Sequence, residues 1–149
     1  MKIFAMLLLA WSAVQTPALP NFSGDWKMNP TKSDFAGLPA PTSIVRTITH
    51  AEPSLKIVET QRSDMGDQST TRAYTTNGTP TTFTSQGAEV RTQAEWTGSI
   101  LLVTSTVDAI GVTFKDQMTL SADGATLTSL VHIASPQGEV DLKVVFDKQ

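Results

Sequence analysis

Three charged residues fall where the residue pattern otherwise predicts the inward face of β-strands. Arg46, Glu59 and Asp116 each alternate with apolar residues, and side chains two residues apart on a strand point to the same face. The apolar residues of the same parity are Ile44, Ile48, Leu55, Ile57, Phe114 and Met118. An unpaired ion inside a protein costs several kcal/mol, so these groups are expected to pair with one another, to meet water in a cavity, or to lie at a solvated strand end.

Two interpretations of Arg46 stay open. In the first, its guanidinium anchors the carboxylate or phosphate of a bound molecule through a bidentate contact. In the second, it pairs internally with Glu59 or Asp116, or a β-bulge turns one of these residues outward. The candidate ligand-binding residues are the three charged ones together with neighbours on predicted inward faces: Arg46, His50, Glu59, Trp96, Phe114 and Asp116.

Catalytic motifs are not evident in the sequence. The two histidines, His50 and His132, lie on different predicted strands, and no metal-ligand spacing accompanies them. No Gly-x-Ser-x-Gly elbow, phosphate-binding loop or dinucleotide fingerprint occurs. We therefore predict no catalytic residue, no metal and no cofactor, and a protein that is not an enzyme. A hydrolase or metal-dependent enzyme would require His50, Arg46 and an acidic group to converge in one pocket.

Composition narrows the classes of partner. The 149 residues include no cysteine, and 14 acidic against 11 basic residues give a formal net charge of −3. Disulfides and thiolate metal sites are thus excluded. Mild acidity without a Lys/Arg cluster argues against nucleic acid and anionic membrane surfaces as partners.

The N-terminus has the layout of a secretory signal peptide. Lys2 precedes an apolar run over residues 3–11, and small residues follow at Thr16 and Ala18. The apolar run is shorter than the ~20 residues that a membrane-spanning helix needs. We expect cleavage near Ala18, with a signal peptide over residues 1–18, a domain over residues 19–149, and a periplasmic or extracellular location.

From Ser43 onward, Thr/Val/Ile-rich runs alternate with Gly-containing turn signals about every ten residues, which is typical of antiparallel hairpins. Asn77-Gly78 and Asp123-Gly124 are the most specific signals, because type I′ turns need positive φ at both central residues. No helical pattern separates the runs. The sequence predicts an all-β, antiparallel, up-and-down barrel of about eight to ten strands, since closure hides the edges of a long meander.

Gly24 and Trp26 open this series of strands. A glycine lets a strand bend as it enters a barrel, and a tryptophan two residues later is large enough to plug the barrel end. The Pro-rich segment over residues 29–41 is predicted to wrap an end of the barrel, with Phe35 and Leu38 as anchors. Residues 100–103 are apolar on both faces, which predicts an external cover or a protein interface at this strand.

Five stretches of the sequence carry a family resemblance. They are Phe22-x-Gly24-x-Trp26-Lys27, Asn29-Pro30-x-Lys32-Ser33-Asp34-Phe35, Pro39-x-Pro41, Trp96-x-Gly98 and Leu120-Ser121-x-Asp123-Gly124-x-x-Leu127. Together they resemble the calycin superfamily, which includes lipocalins and fatty-acid-binding proteins, and within it the uncharacterised secreted lipocalin-like proteins of bacteria. The resemblance implies a barrel whose interior can hold a small apolar molecule.

Three features depart from the better-known calycins. The Pro-rich segment cannot form the helical lid of fatty-acid-binding proteins. The last strand offers Lys143 and Lys148 in place of the late arginine of lipocalins. Arg72 and Tyr74 resemble the carboxylate-holding pair of fatty-acid-binding proteins, but those proteins carry it on the final strand, so we interpret this mid-chain occurrence as chance.

The leading functional prediction is a secreted barrel that binds a small apolar or amphipathic ligand in its interior. The alternative is a packed structural or protein-interaction barrel without a small-molecule ligand. The sequence leaves the ligand's identity and the oligomeric state open.

Overall fold

The computed structural model describes residues 12–13 and 18–149, and in them the chain forms ten antiparallel β-strands and one short 3₁₀ turn. This confirms the predicted all-β meander. The predicted signal peptide lies almost wholly outside the described residues and stays a prediction. The strands are β1 (Gly24–Met28), β2 (Ser43–Ala51), β3 (Ser54–Ser63), β4 (Gly66–Thr75), β5 (Thr81–Ser85), β6 (Ala88–Thr97), β7 (Ile100–Val107), β8 (Val112–Leu120), β9 (Thr126–Ser135) and β10 (Gly138–Lys148), and the 3₁₀ turn is Asp108–Ile110.

The strands form one sheet in the order β4-β3-β2-β1-β10-β9-β8-β7-β6-β5. Strand β1 pairs with both β2 and β10, so the first and last strands meet and the sheet curls into a barrel. No backbone ladder joins β4 to β5 within the described residues. Side chains bridge this gap instead: Thr81 Oγ1 donates to the carbonyl of Ala73 (3.2 Å), and Gln86 Nε2 donates to Gln68 Oε1 (2.9 Å). The barrel is therefore nearly closed.

The gap lies where the sequence predicts a hairpin. The strands that flank Asn77-Gly78 are not paired with each other, and Asn77 instead forms an isolated bridge with Glu95 of β6. Pro80 follows the turn and has no N–H to donate to a ladder. The predicted hairpin is thus wrong at this position, whereas Asp123-Gly124 does connect the paired strands β8 and β9.

Alternate turns of a meander lie at opposite ends of the barrel. We call the end with the β2–β3, β4–β5, β6–β7 and β8–β9 turns the closed end, and the other the open end. The largest fully buried side chains include Phe22, Trp26, Leu55, Leu101, Met118, Leu127 and Phe146. Trp26 is completely buried among them, and its indole N–H donates to the carbonyl of Phe22 (2.9 Å).

Gly24 enters the barrel with φ at +137°, which L side chains rarely adopt, and an added Cβ would lie 3.0 Å from Cε of Lys148. The glycine therefore permits both the backbone bend and the close approach of β10.

The Pro-rich segment continues the pairing of β1 along β10. The amide of Asn29 donates to the carbonyl of Val145 (2.7 Å), and Asp34 forms an isolated bridge with Lys143. Phe35 packs against the core, but Leu38 is 49% exposed. The prediction that Leu38 anchors this segment is wrong, because backbone hydrogen bonds to β10 and the Phe35 ring hold the segment instead.

The apolar run on β7 is divided between the two faces of the sheet. Leu101 and Val103 are buried inside the barrel, whereas Ile100 and Leu102 are half-buried on the outside. Within the described part of the chain, no helix has the length and apolar character needed to cross a membrane.

Candidate functional site

Five polar side chains from five strands form one connected group inside the barrel, which we call the interior network. It consists of Arg72 (β4), Glu59 (β3), Arg46 (β2), Ser129 (β9) and Asp116 (β8). Nε of Arg46 and Nη2 of Arg72 (3.0 Å) both donate to Oε2 of Glu59. Nη1 of Arg46 donates to Oγ of Ser129 (3.1 Å), whose hydroxyl donates to Oδ2 of Asp116 (3.3 Å).

Register and closure both position this network. Arg46 lies directly opposite Glu59 in the β2–β3 ladder, where cross-strand side chains are close enough to interact. Arg72 lies opposite Ile57, so it is a diagonal neighbour of Glu59. The contact of Arg46 with Ser129 is different, because β1 and β10 lie between their strands in the sheet. The curling of the sheet brings these two side chains together across the interior of the barrel.

Charge compensation within the network shifts the ionisation of both carboxyl groups. Burial raises the pKa of Glu59, but the charges of Arg46 and Arg72 outweigh it and hold that pKa below its ordinary value. Burial also raises the pKa of Asp116, and here the same two arginines oppose the shift only in part. Glu59 therefore carries the stable negative charge, and Asp116 is the more readily protonated of the two.

Two buried polar atoms of the network, Nε of Arg72 and Oδ1 of Asp116, have no hydrogen-bond partner among the described residues. Arg72 and Asp116 are the first and last residues in the series of hydrogen bonds that forms the network. Buried donors and acceptors in proteins are nearly always paired. One donor and one acceptor of the network thus stay available for a further group.

His50 belongs to a second polar group, at the closed end. The amide N–H of Phe22 donates to Nδ1 of His50 (3.1 Å), so this nitrogen accepts, and Nε2 faces Oε1 of Glu52 (2.7 Å). The same carboxylate accepts from the indole of Trp96 (2.9 Å) and the hydroxyl of Thr76 (2.6 Å). A neutral His50 that is protonated on Nε2 satisfies every contact.

Two of the candidate ligand-binding residues, His50 and Trp96, belong to this closed-end group. The rings of Phe22, His50 and Trp96 stack on one another at centroid distances of 5.7 to 6.1 Å. Although burial raises it, the pKa of Glu52 is lowered overall by the hydrogen bonds from Thr76, His50 and Trp96. His50 and Trp96 thus make structural contacts here, and His50 does not join Arg46 as an enzymatic pocket would require.

Replacing Glu52 with alanine should lower the free energy of unfolding by about 1–2 kcal/mol, because three donors lose a charged acceptor whose side chain is 38% exposed and partly screened. Guanidinium denaturation followed by circular dichroism measures the loss. The matched control, Glu89→Ala, removes an exposed carboxylate of β6 and should stay within about 0.5 kcal/mol of the wild type. Equal losses in both variants would contradict the structural role of Glu52.

Phe114 lies in the open half of the barrel, opposite Ile133. Several inward-facing apolar side chains in this half stay partly accessible to solvent, whereas Ile44, Val90 and Val107 are buried. We call this region the open chamber; the side chains that define it are Phe83, Phe114, Val131, Ile133 and Leu142.

The structure thus divides the six candidate residues between three places. Arg46, Glu59 and Asp116 meet in the interior network, Phe114 lies in the open chamber, and His50 and Trp96 lie at the closed end. Sequence reasoning missed Arg72 and Ser129 as members of the network. Arg72 is two residues from Tyr74 and so shares its strand face, which could have indicated that Arg72 points inward. Nothing in the sequence distinguishes Ser129 from other serines between apolar residues.

A groove of about 780 Å³ lies on the outer face of β7–β10. Leu102 and Leu130 form its apolar part, and Leu130 is 46% exposed. Charged and polar side chains surround them: Asp34, Lys115, Gln117, His132, Asp141 and Lys143. His132 is thus an outer-face residue, with Nδ1 at 2.7 Å from Oδ1 of Asp141. Among the described residues, no group of His, Asp and Glu side chains could hold a metal ion.

No protein-family model matches the sequence, and no curated protein sequence does either. Solved structures do match. A secretory abundant heat soluble protein from Ramazzottius varieornatus has a TM-score of 0.64 at 11% identity, covering 86% of this chain and 95% of that one.

Two further similar structures have names that state what they bind. Zebrafish ileal bile acid-binding protein in complex with cholic acid has a TM-score of 0.60 at 15% identity, covering 86% of this chain and 98% of that one. Fatty-acid-binding protein 1 of Echinococcus granulosus has a TM-score of 0.58 at 13% identity, covering 85% and 96%. The fold is of the calycin type. Within this calycin-type barrel, the interior network separates the buried closed-end core from the open chamber.

Proposed function

We propose that this calycin-type barrel binds a small apolar or amphipathic molecule in its open chamber. The observation that carries the proposal is the contrast between the two halves of the interior. Trp26 and Phe146 at the closed end are fully buried, whereas Phe114, Ile133 and Leu142 face inward and stay partly accessible. Accessible apolar side chains on the concave inside of a barrel are typical of small-molecule sites.

The similar structures support the class of ligand. Two of them are, by name, a bile acid-binding and a fatty-acid-binding protein. Bile acids and fatty acids both combine a large apolar part with a polar end. An interior with apolar walls and a polar network at its base suits the same kind of molecule.

We also propose that the protein acts after export, in the periplasm or outside the cell. The support is the predicted signal peptide over residues 1–18, with its basic start, apolar run and small residues before the cleavage site.

Native mass spectrometry of the purified protein, together with titration of the neutral dye Nile red, tests the ligand-binding function. We expect one bound molecule per chain and a saturable rise in dye fluorescence. The proposal fails if no molecule co-purifies and the dye does not bind.

Ile133→Trp places an indole in the open chamber and should weaken Nile red binding at least about tenfold, since the added side chain occupies the space of the dye. Leu130→Trp is the matched control, because it adds the same ring to the outer face of the same strand. This control should leave the dissociation constant unchanged. If Leu130→Trp weakens binding and Ile133→Trp does not, the dye binds in the outer groove and the chamber is not the site.

The outer groove favours a second candidate function, contact with another protein. Its apolar part, Leu102 and Leu130, is flanked by side chains of both charge signs, which is an arrangement found in protein interfaces. The apolar area is small, so the chamber is the better-supported site.

A further inference from the structure

We propose that the ligand's polar end is an uncharged group that donates one hydrogen bond and accepts one, such as an alcohol or a primary amide, and that it binds between Arg72 and Asp116. This inference rests on the proposed ligand-binding function and adds the chemistry of the ligand's polar end. Three features of the interior network support it.

The first feature is the balance of charge. Arg46 and Arg72 supply two positive charges, Glu59 supplies one negative charge through its two ion pairs, and Asp116 supplies a second while it is ionised, although burial raises its pKa. Adding an ionised head group to this buried and compensated set would leave one charge without a partner, which costs several kcal/mol. An uncharged head group adds no such cost.

The second feature is the pair of unpartnered atoms. Nε–H of Arg72 is a donor without an acceptor, and Oδ1 of Asp116 is an acceptor without a donor. An alcohol or primary amide can accept from the first and donate to the second. A carboxylate can accept from Arg72, but it has no proton to donate to Asp116.

The third feature is access from the open chamber. The side chain of Arg72 is 21% exposed and Asp116 is half-buried as a whole, although Nε of Arg72 and Oδ1 of Asp116 are themselves covered, so a ligand reaches them only after a small side-chain movement. Rotation of the Asp116 carboxylate about its last torsion exchanges its two oxygens. Asp116 also has Phe114 as its neighbour on the same face of β8, so the network borders the wall of the open chamber.

The charges around Asp116 also predict how pH acts on ligand choice. The titratable or charged groups that face it are Arg46 on β2, Glu59 on β3, and Arg72 and Tyr74 on β4, while β9 contributes the hydroxyl of Ser129. Burial raises the pKa of Asp116, so acid neutralises it while both arginines stay charged. Binding of a carboxylate should therefore strengthen as pH falls, and binding of an alcohol should not.

The test compares four molecules with the same alkyl chain: 1-decanol, decanamide, decyl methyl ether and decanoate. Each displaces Nile red from the full chain at about pH 8, where free carboxyl groups are ionised. The alcohol and the amide should bind about tenfold more tightly than the ether and the carboxylate, which is the factor that one hydrogen bond to a charged group contributes. The ether can accept a hydrogen bond but cannot donate one, so its affinity shows how much the donated hydrogen bond contributes.

Asp116→Asn removes one negative charge and leaves the interior with excess positive charge. Decanoate should then bind at least about tenfold more tightly than it binds the wild type, and it should lose its pH dependence. Asp67→Asn is the matched control, because Asp67 pairs with Arg62 on the exposed surface. This control should change neither the affinity for decanoate nor the pH dependence of that affinity.

A second variant keeps the test decisive if Asp116→Asn does not fold. Arg72→Lys retains the positive charge but has no guanidinium Nε–H. Binding of decanol, decanamide and decyl methyl ether should each weaken about tenfold, because all three accept a hydrogen bond from Arg72. Unchanged alcohol binding in this variant would overturn the assignment of Arg72.

The outcomes separate the two proposals. If none of the four molecules displaces the dye and the dye itself does not bind, the proposed function fails. If decanoate binds as tightly as decanol at about pH 8, the barrel binds ligands but the uncharged head group is wrong. Equal binding of all four molecules would overturn the head-group assignment as well.

Discussion

Replacing Arg46 with methionine should lower the free energy of unfolding by about 3–5 kcal/mol, which is the usual cost of removing one partner from a buried ion pair. Arg46 is buried and contacts both halves of the interior network, through Glu59 and Ser129. Its guanidinium carbon also lies 4.3 Å from the ring centroid of Phe146. Methionine preserves much of the volume, so the loss reports mainly on the charge and the hydrogen bonds. Urea denaturation followed by circular dichroism measures it.

The matched control for this prediction is Arg91→Met. Arg91 pairs with Asp108 at 2.9 Å, but the side chains are 58% and 65% exposed, and such surface pairs contribute below about 1 kcal/mol. A loss at Arg46 no larger than the loss at Arg91 would show that the interior network does not stabilise the fold.

The loss of unfolding free energy in Arg46→Met should also depend on pH. The ionisation of Glu59 determines whether this loss grows or shrinks as pH falls. The folded pKa of Glu59 is lowered because the charges of Arg46 and Arg72 outweigh burial. Its ion pairs therefore stabilise the fold above the pKa of the unfolded carboxyl, and this contribution is lost as pH falls through the folded value. The stability difference between wild type and variant should narrow below about pH 4.

Trp26→Ala should destabilise the barrel by about 3–5 kcal/mol, because it removes a fully buried aromatic side chain and leaves a cavity at the closed end. The variant also leaves the carbonyl of Phe22 without the indole donor. Guanidinium denaturation followed by circular dichroism is the appropriate measurement, since Trp26 is itself one of the tryptophans that a fluorescence signal would use.

Two further variants identify the cause of the Trp26 effect. Trp26→Phe restores part of the volume but not the hydrogen bond, so it should lose less than Trp26→Ala. Trp96→Ala removes an indole that is only half-buried and should also lose less. If Trp96→Ala is as destabilising as Trp26→Ala, the closed end does not depend on Trp26 as its plug.

Much of the barrel could be predicted from local patterns. Period-two alternation identifies which side chains point inward, and the register confirms it for Arg46 and Glu59, which lie directly opposite each other. Turn signals identify most hairpins, because the conformations that turns need are strongly residue-specific. Asn77-Gly78 is the exception, since whether its flanking strands pair depends on the whole circumference of the barrel.

Alternation and turn signals were enough to predict the all-β architecture and the inward placement of Arg46, Glu59 and Asp116. Alternation and turn chemistry are local properties, so a single chain shows them directly. The contacts of Arg46 with Ser129 and of Trp96 with Glu52 are visible only in the folded barrel. Those contacts depend on strand stagger and on how the sheet curls, which arise when distant strands meet and leave no local trace in the chain.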